Sequence, residues 1–121
     1  MTRNRASARK AGSSFERSVA DCFAEWVDDR IDRRVKTGAK DRGDIAGLRH
    51  MGGRVVVECK DFGGRYLLGG WLREAEIERG NDDAVAGCVV IKRRGITDPL
   101  DQVVAMTMRD LIALLKGERP A

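Results

Sequence analysis

Arg54-Val55-Val56-Val57-Glu58-Cys59-Lys60 is the most strand-like stretch of this 121-residue chain. Its three valines favour extended backbone, where β-branched side chains pack well. Successive side chains alternate between faces. Val55, Val57 and Cys59 therefore form an apolar face for a core. Val56, Glu58 and Lys60 form the other, placing a carboxylate and an ammonium two residues apart near the strand's end. Gly52-Gly53 precedes the strand as a turn, and residues 44–48 (Asp44-Ile45-Ala46-Gly47-Leu48) read as a shorter strand before it. The pair reads as an antiparallel hairpin. Its open ends bring Asp44 opposite the Glu58 end of the longer strand.

Outward towards the N-terminus, residues 31–36 alternate as a half-exposed strand, followed by a polar loop through Thr37, Lys40, Asp41, Arg42 and Gly43. Before it, Phe15, Val19, Cys22, Phe23 and Trp26 recur at helical spacing. Ser13 and Glu16 have the Ser-x-x-Glu spacing of a capping box, which predicts a helix start at Ser13. Residues 1–12 are basic, small and polar, and read as a flexible arm; residues 13–121 read as one domain. Towards the C-terminus come a glycine-hinged loop (62–71), a helix from Trp71 to Arg79 and a buried strand over 84–92. Residues 100–105 fit strand or helix. A last helix follows Thr107, with Met108, Leu111, Ile112 and Leu115 as its apolar stripe and Gly117 as its stop. The stripe is expected to pack on its own sheet, with a role as a rival dimer interface as the alternative. The order is α-β-β-β-α-β plus a C-terminal helix, an α/β class with a mixed central sheet flanked by helices.

Apolar residues make up 42% and charged residues 35%, a soluble globular composition. No apolar run reaches the roughly 18 residues of a membrane span, and no apolar stretch follows the basic N-terminus as in a signal peptide. A cytoplasmic setting is expected. Cys22, Cys59 and Cys88 are widely spaced within apolar runs and read as small buried hydrophobes, not as disulfides or a zinc site. Net charge is +4 and unevenly spread: residues 1–60 carry 14 Lys/Arg against 9 Asp/Glu, and residues 61–121 carry 9 against 10. A basic half suits a polyanion such as nucleic acid, although the same charge also serves solubility.

Asp44 and Glu58 on adjacent strand ends can share one hard divalent cation, and Glu16 can add a ligand directly or through water. Such a cation polarises a phosphodiester and acidifies bound water. Lys60 would hold or activate that water and offset charge developing on the phosphate. Glu16 has a competing use as the acid of the capping box. Asp41 is a second acid near Asp44, and strand alternation points Asp61 away from the group. His50, the only histidine, sits by the hairpin turn and reads as structural.

Asp44…Glu58-Cys59-Lys60 resembles the PD-(D/E)-x-K nuclease signature. Gly12-Ser13-Ser14-Phe15-Glu16-Arg17 resembles the N-terminal helix motif of archaeal-type Holliday junction resolvases. The resemblance covers roughly residues 12–92 and includes the element order. It implies a restriction-endonuclease-like αβββαβ core and a metal-dependent, structure-selective endonuclease. It further implies a homodimer acting on four-way DNA junctions, with Glu16, Asp44, Glu58 and Lys60 as catalytic quartet. Mg²⁺ is the expected ion, with Mn²⁺ substituting, and no organic cofactor is implied. Gly43 departs from the signature, which often has proline there. With 17 Arg against 6 Lys, the composition fits a high-GC coding genome, bacterial or phage.

Arg33, Arg34, Lys36, Lys40 and Arg42, which precede Asp44, are candidate phosphate contacts, with Arg93 and Arg94 as a second basic lip. Tyr66, Leu67, Leu68 and Trp71 are candidates for a dimer interface, or else core. The motifs encode cleavage chemistry and not substrate shape. A nuclease for another DNA substrate (restriction, nicking or repair) and a non-catalytic DNA-binding module therefore remain as alternatives.

Overall fold

The computed structural model describes residues 4–36 and 38–121. Helix α1 (Arg5–Trp26) leads into a two-residue strand β1 (Asp32–Arg33), then β2 (Ile45–Ala46), β3 (Arg49–His50) and β4 (Gly53–Lys60). Helix α2 (Leu68–Asn81) crosses over to β5 (Ala86–Ile91), and a single 3₁₀ turn leads to β6 (Val103–Ala105) and helix α3 (Met108–Lys116). The chain is α/β. Its four-stranded sheet, ordered β3-β4-β5-β6, is mixed: β4 and β5 run parallel and both outer pairs are antiparallel. β1 and β2 form a separate antiparallel ribbon.

That ribbon is tied to the main sheet at the expected hairpin. The Asp44 N–H donates to Val57 O (2.8 Å), and the Val55 N–H donates to Leu48 O (2.9 Å). The strand expected over 31–36 shortens to Asp32–Arg33. One further backbone bond, from the Arg34 N–H to Asp44 O (2.8 Å), follows before the chain reaches Lys36 and Asp41.

β4 is buried on both faces, Val55 to Cys59 all being inside. On one side Val57, Cys59, Cys88 and Val90 pack beneath Phe15, Val19 and Ala20 of α1. On the other, Val89 and Ile91 pack beneath Trp71 and Ala75 of α2. Two covering helices make a parallel strand pair interior on both faces. The Glu58 face, which carries the strand's charges, therefore lies under α2. Gly87 permits that approach, since a Cβ there would lie 3.3 Å from Ala75 O.

The structure corrects the expected arm, capping box and α3 packing, and places Trp71 in the core. Residues 5–12 are helix, not a flexible arm: the Asn4 side chain caps Ser7 N–H (2.8 Å), and Ala, Arg and Lys in the first turns favour helix. Ser13 and Glu16 thus lie inside α1 and make no capping box. Trp71 is core, 5% exposed, in edge contact with Phe62 at 5.2 Å, while Tyr66, Leu67 and Leu68 are exposed. The stripe of α3 also faces outward, with Met108, Leu111, Ile112 and Leu115 exposed. The buried side of α3 carries Ala113 and Asp110, and the Asp110 carboxylate accepts from Gly87 N–H (3.1 Å) and pairs with Arg119. Trp26 closes the apolar stripe of α1 in sequence, yet it lies exposed at the helix end. Among the described residues no helix is long and apolar enough to cross a membrane.

Candidate active site

Glu16 from α1, Asp44 just before β2, and Glu58 and Lys60 from β4 line one open groove of about 730 Å³. Phe62, Arg65 and Arg94 complete its rim. The four residues singled out by motif are thus gathered in one place by three elements. Asp61, expected to point away, also lines this groove, because the chain leaves β4 at Lys60 and strand alternation stops there.

Asp44 is held from both sides. Its Oδ2 accepts the Cys59 N–H (2.8 Å), and its Oδ1 accepts from Lys36 Nζ (2.7 Å). Burial alone would raise its pKa. Hydrogen bonds from Glu58, Lys36 and the Cys59 N–H outweigh this and hold it below the usual carboxylate value. Gly43 makes this placement possible. Its φ is +92°, and a Cβ would lie 2.9 Å from Val56 Cγ1 and 3.0 Å from Val57 O. Proline, locked near −65°, cannot adopt this conformation, which explains the departure from the signature.

Glu58 is 4% exposed, and its Oε2 is buried without a donor. Burial first, then Asp44 and Glu78, push its pKa far above the usual range, so the metal-free chain carries it protonated. Glu16 is half-buried and raised by burial and by Asp44, while Arg33, 3.4 Å away, opposes the shift. Lys60 Nζ lies 2.8 Å from Glu74 of α2 and 6.0 Å from the Phe62 ring centre. Burial would lower the Lys60 pKa, but Glu74, Glu58 and Asp44 raise it and keep the ammonium charged.

Glu78 was not legible as a site residue. It is 1% exposed on α2, with both carboxyl oxygens buried and the Glu58 carboxyl as its hydrogen-bonding neighbour. Burial is the main cause of its raised pKa. The signal was present in register: Trp71, Ala75 and Glu78 fall on one helical face, so a carboxylate stands in the core stripe.

The basic residues divide. Lys40 is exposed on the loop before Asp44, and Arg94 lies on the groove rim. Arg65, also on the rim, was not among the expected contacts. Arg33 turns onto Glu16 and Ser13, and Lys36 onto Asp44. Arg34 and Arg42 reach the buried Asp82 instead, at 3.6 and 3.9 Å, because that acid needs counter-charge. Arg93 is engaged with Gln102 and with Asp101 O. Five of the expected phosphate contacts are therefore committed within the fold. Thr37 lies outside the described residues. His50 is in β3, outside the groove.

The donor set of the groove is carboxylate oxygen, with one buried oxygen of Glu58 lacking any partner donor. Oxygen-only ligands fit a hard divalent cation of the Mg²⁺ or Mn²⁺ type. Compared with known proteins, the chain matches no family model, no curated protein and no solved structure.

Proposed function

We propose that this chain is a metal-dependent DNA endonuclease of the PD-(D/E)-x-K kind, with a restriction-endonuclease-like core, that resolves four-way junctions. One observation carries the reading: Glu16, Asp44, Glu58 and Lys60 share a single groove although 44 positions separate Glu16 from Lys60. The hairpin register that sets Asp44 beside residues 57–59 supports it.

Asp44 and Glu58 would hold the cation, with Glu16 at its edge. When bound, a divalent cation there polarises a phosphodiester and lowers the pKa of coordinated water. The protein's own groups do the remainder. The Cys59 N–H fixes the Asp44 carboxylate in one orientation. Glu58 gives up its proton on loading, since only its ionised form is a ligand. Lys60, charged and beside Glu58, offsets negative charge that develops on the phosphate. Arg65 and Arg94 on the rim accept flanking phosphates and position the strand. Two symmetric cuts require two such grooves, which a two-fold dimer supplies. Tyr66, Leu67 and Leu68, exposed at the start of α2, are apolar enough for that contact.

Cleavage of a synthetic four-way junction beside a linear duplex of the same sequence tests this, with Mg²⁺, with EDTA, and with Glu58→Gln. Paired, metal-dependent cuts in the junction alone, lost in the variant, are expected. Equal cutting of both substrates leaves a nuclease and removes the junction. Junction binding without cleavage under Mg²⁺ or Mn²⁺ overturns the enzyme.

A further inference from the structure

α2 turns Glu78 inward, against the far side of Glu58 from the groove's α1 wall. Its burial is unusual for an acid, because an ionised carboxylate inside protein needs a counter-charge or a donor. No donor from outside the acidic group reaches it: both Glu78 oxygens and Glu58 Oε2 are buried without an N–H, hydroxyl or cationic partner, and the hydrogen-bonding neighbour of Glu78 is the Glu58 carboxyl itself. Asp41 closes the third side from the exposed loop before β2. One oxygen from each of Asp41, Glu58 and Glu78 lies within 4.8 Å of the other two. Ligand oxygens about 2.4 Å from a shared ion are separated by no more than about twice that.

We infer that Asp41, Glu58 and Glu78 form a second cation site, specific for a hard divalent ion and sharing Glu58 with the groove. Asp41, at the surface, gives the ion its way in, and Glu78 is the ligand that the interior supplies. The ion would supply the positive charge that buried Glu58 and Glu78 lack, held by one oxygen from each of the three carboxylates. Lys36, 3.6 Å from Asp41, is the nearby ammonium that pairs at the mouth of the cluster when no ion is present. The site stands on these three carboxylates and does not depend on the nuclease reading.

The test is Mn²⁺ uptake by the metal-stripped full chain at neutral pH, followed by the electron paramagnetic resonance of free Mn²⁺. The variants are Glu78→Gln, Asp41→Asn and, as a charge control, Asp83→Asn at an exposed position. Both cluster variants are expected to weaken one class of bound ion by about tenfold or more, with the control unchanged. Circular dichroism checks the fold, and if Glu78→Gln is unfolded the exposed Asp41→Asn decides. Wild-type titration curves in both cluster variants overturn the site, as does an absence of Mn²⁺ uptake by the wild type. Uptake that depends on Glu78 in a chain that cuts no DNA would keep this site and remove the nuclease; cleavage without that dependence would do the reverse.

Discussion

Lys36 Nζ lies 2.7 Å from Asp44 Oδ1 and supplies, in the metal-free chain, the positive charge that this buried carboxylate requires. The ammonium and a divalent cation thus compete for the same oxygen. Lys36 arrives from a loop, whereas Asp44 is fixed by the sheet, so the lysine is the partner that can yield.

Lys36→Met should therefore separate stability from metal affinity. Removing the ammonium leaves Asp44 without its ion pair, which costs about 1–2 kcal/mol because the lysine is half-exposed. Mn²⁺ affinity should rise about threefold to tenfold as the competitor is lost. Calorimetric titration and thermal melts in EDTA measure the two effects. An unchanged melting temperature together with unchanged affinity would show that Lys36 and the ion do not share Asp44.

Glu58 sets a pH dependence with a definite sign. Its folded pKa lies above its unfolded one, chiefly through burial, so the native state holds more protons once the pH passes the unfolded glutamate value near 4.5. Stability of the metal-free chain then falls as pH rises from about 5 to 8. Glu58→Gln needs no proton and should flatten that fall, melting about 5 °C above the wild type at pH 8 in EDTA. Saturating Mg²⁺ should reverse the ranking, since only the wild type holds the ion. Parallel wild-type and variant profiles in EDTA would refute the protonated Glu58.

Gly43→Ala should be costly far beyond the loss of one glycine. The positive φ and the 2.9 Å approach to Val56 Cγ1 add steric strain to left-handed backbone. A loss of about 2–4 kcal/mol in urea unfolding is expected, with weaker metal binding because Asp44 follows directly. A loss under 1 kcal/mol would mean that the loop re-folds around the new methyl.

Asp110 tests the fold independently of the groove. Burial would raise its pKa, but Arg119, Thr107 and the Gly87 N–H lower it. A depressed acid stabilises above its unfolded pKa near 3.8, and the contribution disappears as pH falls through the folded value. Asp110→Asn should cost about 2–3 kcal/mol at pH 7, and the deficit should shrink below pH 4. A deficit independent of pH would assign the loss to packing alone.

Much of this architecture was legible because its causes are local. Alternation marked β4, Thr107 and Gly117 bracketed α3, and the Gly52 turn set the hairpin that brings Asp44 to Glu58. Helix α1 was misread at its start because residues 5–12 bury almost nothing, and apolar period is blind to a helix turn held by propensity and a cap.

The amino-acid sequence by itself marked α1, β4, α2, β5 and α3, since periodicity acts within one element, and its resemblance to a nuclease signature pointed to Glu16, Asp44, Glu58 and Lys60; the short β3 was not read from it, and 100–105 stayed open between strand and helix. Only the tertiary structure decided which charges meet. Lys36 on Asp44, Lys60 on Glu74, Arg34 on Asp82 and Glu78 beside Glu58 each join separate segments of the chain. The physical reason is the crossover. Once α2 covers β4, that face loses its water, and every charge on it must take whatever partner the neighbouring element presents.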